Sequence, residues 1–91
     1  SNEALQWGLV NWVVPDAELA AEAAKLAGIL AAGPTQSFGS VKKLLNEAFT
    51  TTLETQMEWE ARGIADMSKT ADAAEGVKSF PERRRPAFTG R

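Results

Sequence analysis

Apolar residues recur at helical spacing over three long stretches of this chain, and almost nowhere at the alternating spacing of a strand. Leu19, Ala23, Leu26 and Leu30 are four, three and four positions apart, one stripe along a helix that opens at Asp16 and stops at Gly33-Pro34. Glu18 sits in its first turn, where the helix dipole favours negative charge. The alanines at 20, 21, 23, 24, 27, 31 and 32 make this helix strong and slim, suited to close packing. A second helix over about 35–49 carries Phe38, Val41, Leu45 and Phe49 on one side, with Leu44 and Ala48 beside them. Gly39 weakens it by about 1 kcal/mol relative to alanine. Thr51 and Glu54 have the spacing of a capping box and predict a third helix, running to about Ser68. Its inner stripe is Leu53, Met57, Ala61, Ile64 and Met67, and Trp59 lies off it. Glu54, Glu58, Arg62 and Asp66 line another face, with Glu58 and Arg62 placed as a favourable pair. Asp72 with Glu75 reads as a further capping arrangement, opening a short helix that carries Ala73, Val77 and Phe80 and ends at Pro81.

The two ends differ from this pattern. Ser1 or Asn2 can cap a short helical turn through Gln6, with Gly8 as the left-handed residue that closes it. Leu9 to Val14, "LVNWVV", is dense in branched and aromatic residues and reads as a short extended segment stopped by Pro15. No second strand candidate exists, so it either packs as an extended arm or pairs with sequence outside this chain. The tail "PERRRPAFTGR" has no periodicity. The pattern therefore predicts one all-α domain over residues 1–91, a small bundle of three to four helices with a short extended N-terminal segment and an irregular C-terminal tail.

Composition narrows the chemistry. The 91 residues contain no cysteine, histidine or tyrosine. That excludes disulfides, zinc–thiolate sites, Ser-His-Asp catalysis and most transition-metal centres, so no metal ligand set is assigned. No apolar run approaches the ~18–20 residues of a membrane span, and no signal segment opens the chain; the expectation is a cytoplasmic domain that engages no membrane. Glu54 and Glu58 share a face that reads as solvated, Glu60 lies nearer the inner edge, and neither arrangement specifies a reaction. Lys42-Lys43 is a doublet that reads as surface charge or as a phosphate contact. Trp7, Trp12 and Trp59 are large apolar groups, and two lie near the N-terminus; they either pack within this chain or cover another surface.

Charge is sorted along the chain. Residues 1–82 hold six basic against twelve acidic residues, whereas residues 83–91 hold four arginines and no acid. A run of arginines offers charge-assisted, often bidentate contacts to phosphate. One short basic segment on an acidic chain is a poor nucleic-acid surface, so no nucleic-acid partner is expected. A small phosphorylated ligand, or a merely solvated basic tail, both fit.

The ordered motifs resemble one family. "EALQWGLVNWVVP" is similar to the "A…GLV..VVP" stretch that follows the catalytic core of the crotonase superfamily, the enoyl-CoA hydratases and isomerases. "LAGILAAGPTQSFGSVKKLL" is similar to that family's next two helices, "TLETQMEWEARGIADMSKTADAAEGVKSF" to its "E…T.D..EG..AF" block, and "ERRRPAFTG" to its "EKR.P.F.G" end. The "TLETQMEWE" and "PAFTG" details look most like the branch that isomerises ring-epoxidised phenylacetyl-CoA. The resemblance implies the C-terminal helical part of such an enzyme, with the catalytic spiral core preceding Ser1, no catalytic residue here, and no cofactor beyond the coenzyme A of the substrate. It also implies an acyl-CoA substrate, contact with identical neighbouring subunits in trimers or hexamers, and Phe80 and Arg83 at the family's CoA-contacting positions. Pro81 departs from the family, which usually has an ordinary apolar residue there, and so implies an early end to the last helix. A free-standing helical interaction module, and a phosphate-binding adaptor built on Arg83 and Arg84, are the competing readings.

Overall fold

The computed structural model describes all 91 residues, and it is helical throughout with no strand. Five helices follow in order: α1 (Asn2–Gln6), α2 (Asp16–Ala31), α3 (Thr35–Glu47), α4 (Leu53–Met67) and α5 (Ala71–Ser79). The all-α expectation is met, and the short N-terminal turn, taken as a helix of its own, raises the number to five. Gly8 closes α1 at φ 71, the left-handed conformation that a residue without Cβ adopts freely. The segment from Leu9 to Pro15 is irregular and unpaired. Pro34 leads into α3, which ends at Glu47, two residues earlier than its apolar stripe suggests, because Thr50 N–H turns back to the Glu47 carbonyl at 2.9 Å.

Two helix starts differ from the sequence reading. The cap of α4 is Thr52, one residue after Thr51; its hydroxyl accepts from Thr55 N–H at 3.3 Å. A run of three threonines leaves the cap register open, and the extended backbone at Thr52 decides it. The cap of α5 is Thr70, which accepts from Ala73 N–H at 3.1 Å. Asp72 and Glu75 are therefore free of capping duty and turn toward the C-terminal tail.

The helices spread rather than close around a centre. The radius of gyration is 17.0 Å, where a compact domain of this length has about 12 Å. No apolar side chain is buried, and the buried residues are Asp72 and Ser79. The accessible surface is 7544 Å² for 9.8 kDa, against about 5200 Å² for a folded monomer of that mass. The one substantial helix–helix contact joins α3 to α4. It is tight at Gly63, where a methyl group would sit 3.1 Å from Ser40 Oγ and 3.6 Å from Leu44 Cδ1. No helix is long and apolar enough to cross a membrane.

Candidate functional site

The best-built region of the chain is the return of the C-terminal tail along α5. Phe80 ends the helix in αR geometry, and residues 80–83 form a turn closed by Arg83 N–H donating to the Phe80 carbonyl at 3.1 Å. Arg84 N–H donates to the Ser79 carbonyl at 3.3 Å. Arg83 takes φ 51, the left-handed region that costs an L-residue about 1–2 kcal/mol. Pro81 accordingly stops α5 early, as the sequence implies, and the turn reverses the chain.

From there the tail runs antiparallel to α5 and is held by two acids one helical turn apart. The Glu75 carboxylate takes both terminal nitrogens of Arg84 as a fork, Nη1 on Oε1 and Nη2 on Oε2 at 3.0 Å, and accepts Ala87 N–H at 2.8 Å. Arg84 Nε donates to Glu82 Oε2 at 2.5 Å. The hydrogen bond from the Arg84 guanidinium, with that from Ala87 N–H, holds the Glu75 carboxyl down to about 2; the same bonds from Glu75 and Glu82 push Arg84 upward. Further along, the Phe88 ring lies against Gly76, where an added methyl would be 3.7 Å away. The Asp72 carboxylate accepts Thr89 N–H at 2.7 Å and Gly90 N–H at 2.8 Å, while Asp72 N–H donates to the Arg91 carbonyl at 2.8 Å. Gly90, at φ 75, also accepts Gln36 Nε2 from α3 at 3.0 Å, so the end of the tail ties α5 to α3.

The three consecutive arginines therefore have different jobs. Arg84 is committed to Glu75 and Glu82, whereas Arg83 and Arg85 make no ion pair and are exposed. Phe80 is 86% exposed beside the turn. The structure thus brings Phe80 and Arg83 together at the outer end of α5, one aromatic and one unpaired cation, linked through the turn hydrogen bond. The acids that hold this turn escaped the sequence reading because their Asp-x-x-Glu spacing matches a capping arrangement; "PAFTG" supplies backbone donors, which leave no trace in residue type.

The other candidates resolve more simply. Glu58 and Arg62 pair at 2.7 Å on an exposed face, as their spacing predicts. Glu60 accepts Gln56 Nε2 at 3.0 Å and is exposed, and Gln56 also reaches the Leu44 carbonyl at 3.3 Å. Lys42 is exposed, and Lys43 lines a shallow groove between α3 and α4 with Glu47, Trp59, Arg62 and Asp66, a mixture of both charges. Trp7 and Trp12 are 69% and 56% exposed, so neither is a core residue of this chain.

Comparison with known proteins places this architecture. The family model described as "Enoyl-CoA hydratase/isomerase" matches residues 1–91. The chain is 40% identical over 91 residues to the 1,2-epoxyphenylacetyl-CoA isomerase of Escherichia coli (strain K12), covering 100% of this chain and 35% of that protein. It is 37% identical to a probable enoyl-CoA hydratase of Rhodobacter capsulatus, with the same coverage. A crystal structure of a putative enoyl-CoA hydratase/isomerase from Mycobacterium abscessus superposes with a TM-score of 0.96 at 35% identity, again covering 100% of this chain and 35% of the other. The chain spans about a third of the length of the relatives it matches.

Proposed function

The chain belongs to the enoyl-CoA hydratase/isomerase family, and we propose that it is the C-terminal helical part of such an enzyme, serving assembly and closure of the acyl-CoA site. The catalytic core would precede Ser1 and would carry the groups that hold the thioester oxyanion as an enolate forms. The apolar faces of α2 to α4, with Trp7 and Trp12, would pack on that core and on identical neighbouring subunits in a trimer or hexamer. Phe80 would lie against the adenine or pantetheine of coenzyme A, and Arg83 would meet a phosphate. This chain alone would catalyse nothing.

One observation carries the reading. The chain exposes about 2300 Å² more than a folded monomer of its mass needs to, the scale of an obligate interface. Large side chains are uncovered on every helix, among them Leu5, Ile29, Leu45, Ile64 and Val77 at 41%, 62%, 65%, 73% and 76%. A free-standing interaction module is the competing reading.

The denaturing mass of the protein made from the native gene separates them. If 9.8 kDa is 35% of the length, the product is expected near 28 kDa and active on short enoyl-CoA thioesters. A product of 9.8 kDa, folded and monomeric, would overturn the proposal.

A further inference from the structure

The arginine turn poses a physical problem. The C-terminal end of α5 is the negative end of the helix dipole, which repels a phosphate. A cation offered to phosphate at this end must be held there, and long arginine side chains on a free tail are not. The residue best placed to do the holding never reaches the ligand. Glu75 grips Arg84 with both carboxylate oxygens and accepts Ala87 N–H, so it fixes the backbone immediately after Arg83. The other side of Arg83 is fixed by the bond from its own N–H to the Phe80 carbonyl, at 3.1 Å. Between these two anchors Arg83 stays at φ 51, a conformation an arginine leaves when released. Pairing with Arg84 also neutralises Glu75, whose free charge would oppose an incoming phosphate.

We propose that Glu75 is a positioning residue for coenzyme A: through Arg84 it holds the 80–83 turn so that Arg83 faces the phosphates of the CoA moiety. The inference rests on the reading of Phe80 and Arg83 as CoA contacts given above, and adds how that contact is kept in place. Arg84, the central and the only ion-paired of the three arginines, is then a strut rather than a ligand contact.

The test uses the complete enzyme and two forms of one substrate, the acyl group on CoA and the same acyl group on pantetheine, which lacks the nucleotide phosphates. Glu75→Gln raises KM for the acyl-CoA about tenfold and leaves KM for the acyl-pantetheine within about twofold. Arg83→Ala does the same, and the double variant is no worse than either single, since both remove one contact. Arg84→Lys, which keeps the charge but cannot form the fork, raises the acyl-CoA KM about threefold and serves if Glu75→Gln does not fold. A wild-type acyl-CoA KM in Glu75→Gln or in Arg84→Lys, or an equal rise for both substrates, overturns the positioning role. An unchanged acyl-CoA KM in Arg83→Ala overturns the underlying CoA contact instead.

Discussion

Asp72 and Gly90 are eighteen residues apart, yet the carboxylate of the first accepts the backbone N–H of the second at 2.8 Å. The neighbouring Thr89 N–H reaches the other carboxylate oxygen at 2.7 Å, and Asp72 itself is only 4% exposed. A buried charged acceptor serving two backbone donors is a strong tie between the tail and the helices. Asp72→Ala is expected to release it, at a cost of about 2–3 kcal/mol. Hydrogen exchange at the Thr89 and Gly90 amides reports the outcome: both accelerate together, while amides in the middle of α4 keep their rates.

The Glu75 pairing predicts a pH response with a definite sign. Its carboxyl is held at about 2, below the ordinary 4.5, by the Arg84 fork and Ala87 N–H. A lowered value in the folded chain means the contact contributes fully above about pH 4.5 and is lost as pH falls through about 2. The Ala87 amide chemical shift should follow that transition. In Glu75→Gln the low-pH step should vanish, and an unchanged step would assign it to another group.

The uncovered apolar faces predict that one substitution has two different costs. Ile64 is 73% exposed on α4. In the isolated chain Ile64→Ala should change stability by less than about 0.5 kcal/mol, as surface changes do. In the complete enzyme proposed above, where the stripe would be covered, the same change should cost about 2–5 kcal/mol. Chemical denaturation of both forms measures the difference, and equal small losses would mean that nothing packs on this face.

The α3–α4 contact leaves little room beside Gly63. With Ser40 Oγ 3.1 Å from where a methyl group at Gly63 would lie, Gly63→Ala asks only a hydroxyl to shift and should be close to neutral. Gly63→Val adds branches toward Leu44 and should push the helices apart, costing about 1–3 kcal/mol. Trp59 beside the groove between these helices is the probe, its emission moving to the red in the valine variant alone.

How much of this was readable beforehand follows from what each feature is made of. Helix positions were readable because spacing and breakers are side-chain properties: the Leu19–Leu30 stripe lies in α2, Gly33-Pro34 separates α2 from α3, and Gly8 closes α1. Where side chains were ambiguous the reading slipped, by one threonine at the α4 cap and two residues at the end of α3. The ordered motifs also placed the chain in its family, which the match over residues 1–91 bears out.

By itself, then, the sequence determined which residues share a helix face, where the helices stop, and that positive charge gathers after residue 82. Periodicity says that a face is apolar; it does not say what covers it, and only the tertiary structure left those faces open. It alone turned Asp72 and Glu75 from apparent caps into the clasps of the tail, because, apart from the Arg84 guanidinium and the Thr89 hydroxyl, their partners are the backbone groups of Ala87, Thr89, Gly90 and Arg91. Every residue but proline carries the same N–H, and every residue the same C=O, so such a bond is written in the path of the chain and not in its letters.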